Sequence, residues 1–587
     1  MEMRQHFNGI LEAVIERAMH VLTFAEAKQH AEECRKSMIE ELLCWISMKG
    51  WRRMRRTLAR NLIDSRWVLK WKLQAQQGSG NKSRQIKARL TAKGFKDLQG
   101  SAIKTFSGTT SRWGQRLIVA VCVQFGWKLQ SADVSQAFLR GITFQSLSEL
   151  PGEIQRSVQL ELPAGSAALL RTVPGYENFD PATEVLDLLK PGYGLKDAPR
   201  LWSMALNTAL SEAGLKPLLT DPQIFVKHVA ASPGQLTLVL IASTHVDDLK
   251  LAGVPSEVSQ LVSAIEKQFD KLKLEGKSFE HCGIRHTQHP DGSIVMEQHH
   301  YVQQLKPIPV EVYRHFSDDA AADVQGKACY MSLLGGVAWV VQTRPDIAVY
   351  VGYLQRHLQN PCIKHLKQLN RVLAFLRKTK FQLHYRKVKP PLKLMVISDS
   401  AFQANDPDCL AVKSGLIALC TDNGTTTDPG GAVMPLDWLS KKQNHVCRST
   451  YAAEIHAALD NTSTGTIINT ALNEILWGTQ SATTLLQWFE AGQSAIPLHL
   501  AIDARSVFDS IIADPIKTPA DKIFLLHAKK LREMIDRGQV KRFWWIDTRD
   551  MAADALNKGK IDRAALQKFF EESVWAVVHT AICFPRT

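Results

Sequence analysis

Apolar and polar positions along this 587-residue chain alternate between a helical and a strand period. Residues 1–60 repeat Leu, Ile and Met at helical spacing without a Pro, which predicts a helical lead-in. Residues 66–72 and 85–94 mix apolar and basic positions on either side of Gln77-Gly78-Ser79-Gly80, a hairpin signature. Even spacing places Lys87, Arg89 and Lys93 on one face of the second strand. Residues 115–125 read as an apolar helix, followed by a short strand that ends in Asp133. Residues 141–185 are rich in Gly, Pro and Ser and predict loops. Residues 236–254 then form two apolar runs about a tight turn carrying Asp247 and Asp248, the pattern of a buried hairpin. A helix over 257–272 and a His-bearing hairpin around Pro290-Asp291-Gly292 follow. Helices spanning 330–379 come next, broken at Arg344-Pro345.

Pro390-Pro391 marks a boundary. Beyond it, strands are predicted at 392–399, 415–420, 433–439, 498–503 and 540–546. Helices are predicted from Ser449-Thr450, over 520–537 and from Asp554. Strands and helices interleave, the signature of an α/β unit. Asp399, Glu454, Asp503 and Asp554 all fall where a strand ends or a helix begins, the usual place for ligand sites in such sheets.

Composition narrows the function classes. Hydrophobic residues make up 45% and charged residues 22%, as in a soluble globular protein, and the formal charge is +15. A basic surplus favours a polyanionic partner, nucleic acid before an anionic membrane. The ten cysteines form no CxxC pair, which predicts reduced thiols in an intracellular protein. The N-terminus has no signal-peptide pattern and no apolar run is long enough to span a bilayer.

Two adjacent carboxylates at the tip of a buried hairpin repel each other and lose hydration. A hard divalent cation such as magnesium offsets that cost. Alone, this stretch suits a solvated turn better than a metal site, and Lys87, Arg89 and Lys93 suit an exposed basic strand better than a triphosphate clamp. Trp51-Arg52-Arg53-Met54-Arg55-Arg56 is either a solvated helix face or a phosphate-contacting patch. The His281, His286, His289, His299 and His300 group fits no compact zinc spacing and reads as strand surface. In the C-terminal unit, four converging carboxylates could hold two metal ions for phosphodiester cleavage.

The ordered motifs carry a resemblance. RWVLKWK, KARLTAKGF, SADVSQAFLRG, YGLKDAPRLW and HVDDLKLAG come first, and the long segment from GGVAWVVQTRPD to LAFLRKT follows. SDSAF, WLSKKQNHVCRSTYAAEIHAAL, AIDARSVFDS and DMAADALNKG complete the series. Together, from about Ala31 to about Lys560, they resemble the reverse transcriptase and ribonuclease H part of copia-type LTR retrotransposon Pol polyproteins.

The resemblance implies an α+β right-hand polymerase with fingers, palm and thumb, followed by a ribonuclease H-like α/β domain. It divides the chain into a lead-in at 1–60, fingers and palm at 61–275, thumb and connection at 276–389, a ribonuclease H-like domain at 390–565 and a tail at 566–587. Asp133, Asp247 and Asp248 would bind two magnesium ions, with manganese as the alternative, for nucleotidyl transfer. Lys87 and Arg89 would neutralise the triphosphate. Phe138 would lie under the sugar and exclude a 2′-hydroxyl, and Gly194 and Lys196 would help position the nucleotide. Asp399, Glu454, Asp503 and Asp554 would bind a second magnesium pair and cleave the RNA of an RNA–DNA hybrid. The implied partners are an RNA template, a DNA primer, the hybrid and deoxynucleoside triphosphates, with no membrane; no motif speaks to oligomeric state.

Two positions depart from the family pattern. His245 stands where Tyr is usual, and Asp197 where Gln is usual, which predicts an extra negative charge near the incoming phosphates. The loop before YGLKDAPR is longer than typical, and no His precedes Asp554. Nucleocapsid, protease and integrase motifs are missing, as expected of a piece of a polyprotein or a gene remnant. The alternative function is therefore a decayed or repurposed nucleic-acid-binding copy.

Overall fold

The apolar runs resolve into four β-sheets in a computed structural model that describes residues 21–75, 82–232, 235–402 and 410–585. The expected helix before residue 21 and the turn at 77–80 lie outside the described residues.

The first sheet orders its strands Trp51–Arg55, Glu184–Leu188, Gln159–Glu161, Leu62–Ala75 and Lys82–Ala92. The sequence predicts a helix through residue 60; instead Ala31–Ser47 is the helix and Trp51–Arg55 is an edge strand paired with Glu184–Leu188. Two forces override the helical pattern. Trp51 buries itself against Trp45, 4.8 Å between ring centroids. The arginines meet acids on neighbouring strands: Arg52 with Asp187, Arg53 with Glu184 and Arg56 with Glu161. Much of the basic cluster is thereby spent on ion pairs.

The second sheet has the order Lys273–Gly276, Lys128–Asp133, Asp248–Gly253, Gln235–His245, Ile224–Ser232 and Lys216–Pro217. Its central strands alternate between two cores, as a pleat covered on both faces must. Leu240, Ala242, Leu249 and Leu251 pack with Trp202, Leu206, Leu261 and Ile265 of the helices Ala198–Glu212 and Pro255–Phe269. Ile241 and Ala252 pack with the helix Arg112–Phe125 on the opposite side. Ser111 caps that helix by accepting from the Gly114 amide, and Gly126 ends it at φ 72°. Leu117 to Val123 are buried all round because the same helix also meets the strand Gly431–Lys442 of the C-terminal sheet. There Arg116, buried, donates to Asp437 at 2.8 Å and lies 3.5 Å from the Trp438 ring centroid.

A small third sheet, Ser278–His281, Ile284–Gln288, Ile294–Glu297 and Leu383–Tyr385, carries the histidine hairpin. His281 and His286 are buried, contrary to the surface expected of them. His286 stacks on Phe279 at 5.0 Å and its Nε2 lies 3.4 Å from the Lys250 ammonium, so this face packs against the second sheet.

Beyond Pro391 the fourth sheet orders Val574–Trp575, Gly431–Lys442, Val412–Thr421, Leu392–Ala401, Leu498–Ile502, Arg542–Ile546 and Ala581–Pro585. Leu392–Ala401, Leu498–Ile502 and Arg542–Ile546 run parallel, and the helix Thr450–Trp477 crosses the first two. Residues expected as a tail supply both edge strands of this sheet. No helix among the described residues is long and apolar enough to cross a membrane.

Candidate active sites

Antiparallel register creates the first acid cluster. Asp133 ends the strand Lys128–Asp133, and Asp248 opens Asp248–Gly253 directly opposite it. Asp247 occupies the turn before Asp248, after Val246 in left-handed backbone at φ 59°. A β-branched residue is strained there; the Trp202 indole secures the turn by donating to the Val246 carbonyl at 2.7 Å. Burial, then the charges of Asp247 and Asp133, pushes the Asp248 carboxyl up to about 7. Asp247 is raised by burial and by Asp133, with Arg89 opposing.

Lys87, Arg89, Tyr193 and Gly194 line one groove with Trp71 and Thr91. The Arg89 guanidinium sits 4.2 Å from the Tyr193 ring centroid and donates to its hydroxyl. Phe138 meets Tyr193 edge-on, 5.5 Å between ring centroids. Gly194 is required by close approach: at φ +91° a Cβ would stand 2.1 Å from the Ala92 carbonyl oxygen. Lys196 is exposed near Gly100 and is not among the residues lining this groove. Tyr193 and Trp202 sit inside the quoted YGLKDAPRLW motif, yet nothing in their own spacing marks them.

Asp197 corrects the sequence expectation. Its carboxylate is buried and accepts from Arg156 Nε at 2.6 Å, while Arg156 Nη2 reaches Asp97 at 2.5 Å. The Arg156 side chain is 0% exposed. Its guanidinium absorbs the charge that the sequence assigned to the phosphate path. Arg156 lies in the long loop, and no local pattern announces it.

His245 is the ladder partner of Asp248. Burial and Lys250 hold its imidazole pKa down, and its buried Nδ1 has no hydrogen-bond partner.

The second cluster forms where parallel strands end. Asp399 lies on Leu392–Ala401, Asp503 follows Leu498–Ile502, and Glu454 projects from Thr450–Trp477, whose N-cap is Ser449. One oxygen from each of these three acids lies within 4.8 Å of the others. Burial and the charges of Asp399 and Asp503 push the Glu454 carboxyl up to about 10, and its Oε2 is buried without a partner. Asp554 opens the short helix Asp554–Asn557; burial and its hydrogen-bonded neighbour Asp399 raise its pKa. Lys558, unremarked in the sequence, donates to Asp554 and stands 3.6 Å from Asp399 Oδ2. Its place four residues after Asp554 was a legible signal, since that spacing shares one helical face.

The two donor sets, clustered carboxylate oxygens of which one is buried without a partner, suit a hard divalent cation.

Residues 48–308 match the family described as reverse transcriptase (RNA-dependent DNA polymerase). Two curated relatives, the retrovirus-related Pol polyproteins from transposons RE2 of Arabidopsis thaliana and TNT 1-94 of Nicotiana tabacum, are each 25% identical to the chain. The alignments cover 86% and 83% of this chain but 32% and 34% of the relatives, so the chain spans about a third of their length. A solved foamy viral protease–reverse transcriptase, in complex with double-stranded DNA, is 10% identical at a TM-score of 0.41, covering 85% of this chain and 68% of that one. The polymerase part of the resemblance read from the motifs therefore holds: residues 48–308 match the reverse transcriptase family, and most of the chain is similar to the Pol polyproteins of copia-type retrotransposons.

Proposed function

We propose that the chain is an RNA-directed DNA polymerase that also cleaves the RNA strand of RNA–DNA hybrids, with fingers and palm at 61–275, thumb and connection at 276–389 and a ribonuclease H-like unit at 390–565. The observation that carries the polymerase reading is the register that sets Asp133 opposite Asp248, with Asp247 in the adjoining turn. Asp133, Asp247 and Asp248 would hold magnesium at the first centre, and Asp399, Glu454, Asp503 and Asp554 at the second. When bound, the ions would supply charge neutralisation and an activated oxygen nucleophile for two-metal phosphoryl chemistry.

The chain's own residues do the rest. Lys87 and Arg89 take the triphosphate charge in the groove they line. Tyr193 fixes the Arg89 guanidinium, and Phe138 packs on Tyr193 where a deoxyribose would lie. Gly194 brings the backbone close to the strand Lys82–Ala92. Lys196, outside the groove, acts on a more distant part of the nucleotide or template. The net charge of +15 favours the duplex backbone, so binding weakens steeply with salt.

The reading of a decayed copy drew on His245 and Asp197; burial against Arg156 gives Asp197 a structural partner. Primer extension on an RNA template with magnesium tests the proposal, beside an Asp247→Asn control. Extension lost in the control supports it. No extension by the unaltered chain, with salt-sensitive hybrid binding intact, sinks it in favour of a remnant.

A further inference from the structure

Beside the Asp247–Asp248 turn lies a donor set of which the proposed nucleotidyl transfer uses only Asp248. Cys282 occupies the turn between Ser278–His281 and Ile284–Gln288, in left-handed backbone at φ 53°. One ligand atom each from Asp248, His281 and Cys282 lies within 4.8 Å of the others. His281 is 1% exposed and neither ring nitrogen has a hydrogen-bond partner. Such a group is costly inside a protein unless something binds it. His286 is already committed: its ring nitrogens face the Ile284 carbonyl at 3.0 Å and Lys250.

We propose that Asp248, His281 and Cys282 form a binding site for a borderline-soft divalent cation of the zinc class, which shares Asp248 with the polymerase centre. One nitrogen, one sulfur and one carboxylate oxygen suit Zn2+ or Co2+ and not magnesium, which takes oxygen ligands. Bond lengths of about 2.0–2.3 Å in a tetrahedral site bring donors to about 3.5 Å apart. The set needs to close by only about an ångström. The buried Lys250 ammonium is the neighbouring cation, held by the Gln115 carbonyl at 3.1 Å. A thiolate and a carboxylate cancel a dication's charge, so Lys250 faces a neutral cluster. His245, across the ladder from Asp248 with a buried Nδ1 that has no hydrogen-bond partner, is a candidate for the open fourth position.

Occupancy takes Asp248 away from magnesium, so the site is inhibitory. That consequence rests on the polymerase reading above; the binding does not.

The test titrates the full chain with Co2+, following the thiolate-to-cobalt absorption band, with thermal melts to confirm that the variants fold. We expect one equivalent to generate the band. Cys282→Ala should abolish it, and His281→Gln should weaken binding at least tenfold. Absence of the band in the unaltered chain, or its persistence in Cys282→Ala, overturns the site. In primer extension with magnesium, Zn2+ should inhibit the unaltered chain at least ten times more strongly than either variant. Equal inhibition of all three overturns the shared-ligand claim while the cobalt result stands. If no form extends a primer, the polymerase reading fails and the cobalt titration still decides the site.

Discussion

The two acid clusters solve one electrostatic problem with different backbones. At the hairpin, Asp133 and Asp248 are ladder partners on antiparallel strands, and Asp247 rides the turn. The balancing cations come from another sheet: Arg89 acts on Asp247, and Lys87 feels Asp133. At the C-terminal sheet the acids arrive from two parallel strands, a 28-residue helix and the short helix Asp554–Asn557, and Lys558 stands among them. The first centre thus leaves its compensation to a groove open to a ligand, whereas the second carries an internal cation. The comparison teaches that a buried set of carboxylates either keeps a resident counter-charge or stays poised for one from outside.

The largest effect separates the centres outright. Asp248→Asn removes a carboxylate from the hairpin set alone, so primer extension should fall at least a hundredfold while hybrid cleavage stays within twofold. Loss of both activities together would show that the clusters act as one site. Next in size is Arg156→Met, which leaves Asp97 and Asp197 buried without their shared guanidinium. Breaking a buried ion pair costs about 3–5 kcal/mol, read as a lower midpoint in denaturant. Asp197→Gln should destabilise less, because Asp97 keeps Arg156, and should not speed extension. Faster extension by Asp197→Gln would mean that the carboxylate reaches the phosphates after all.

The contrast also sorts what the sequence could reveal. Asp247 and Asp248 were legible because period-two strands and one tight turn are local features, whereas the pairing that sets Asp133 opposite Asp248 joins strands far apart in the sequence. Asp399 and Asp503 were legible as strand-end acids, but their meeting with Glu454 depends on topology that spacing does not encode. Arg156 was illegible: its partners lie 59 and 41 residues away. The strand at Trp51–Arg55 was misread because stacking of Trp51 on Trp45 and cross-strand acids outweigh helical periodicity. His281 and His286 were assigned to the surface because an alternating pattern shows that one face is buried, not which one.

The smaller effects probe the resident cation. Glu454→Gln replaces a buried carboxyl, pushed up to about 10, whose Oε2 has no partner. Hybrid cleavage should be lost, yet without metal the protein should melt a few degrees higher at neutral pH, because folding no longer has to protonate a group that ionises freely in the unfolded chain. A lower melting temperature would mean that the protonated Glu454 makes a hydrogen bond that Gln cannot replace. Lys558→Met is the subtler counterpart. The ammonium lies 3.6 Å from Asp399 Oδ2 and is bonded to Asp554, so it offsets the repulsion that magnesium would otherwise relieve. Removing it should lower the metal-free melting temperature by about one or two degrees, as expected for a partly exposed ion pair. It should also reduce the magnesium needed for half-maximal hybrid cleavage by a few fold, because no cation has to be displaced. The magnesium requirement of primer extension should not move, since Lys558 stands among the acids of the second centre alone. A higher magnesium requirement for cleavage would instead place Lys558 among the groups that hold the bound strand, and a resident counter-charge would no longer be what divides the two centres.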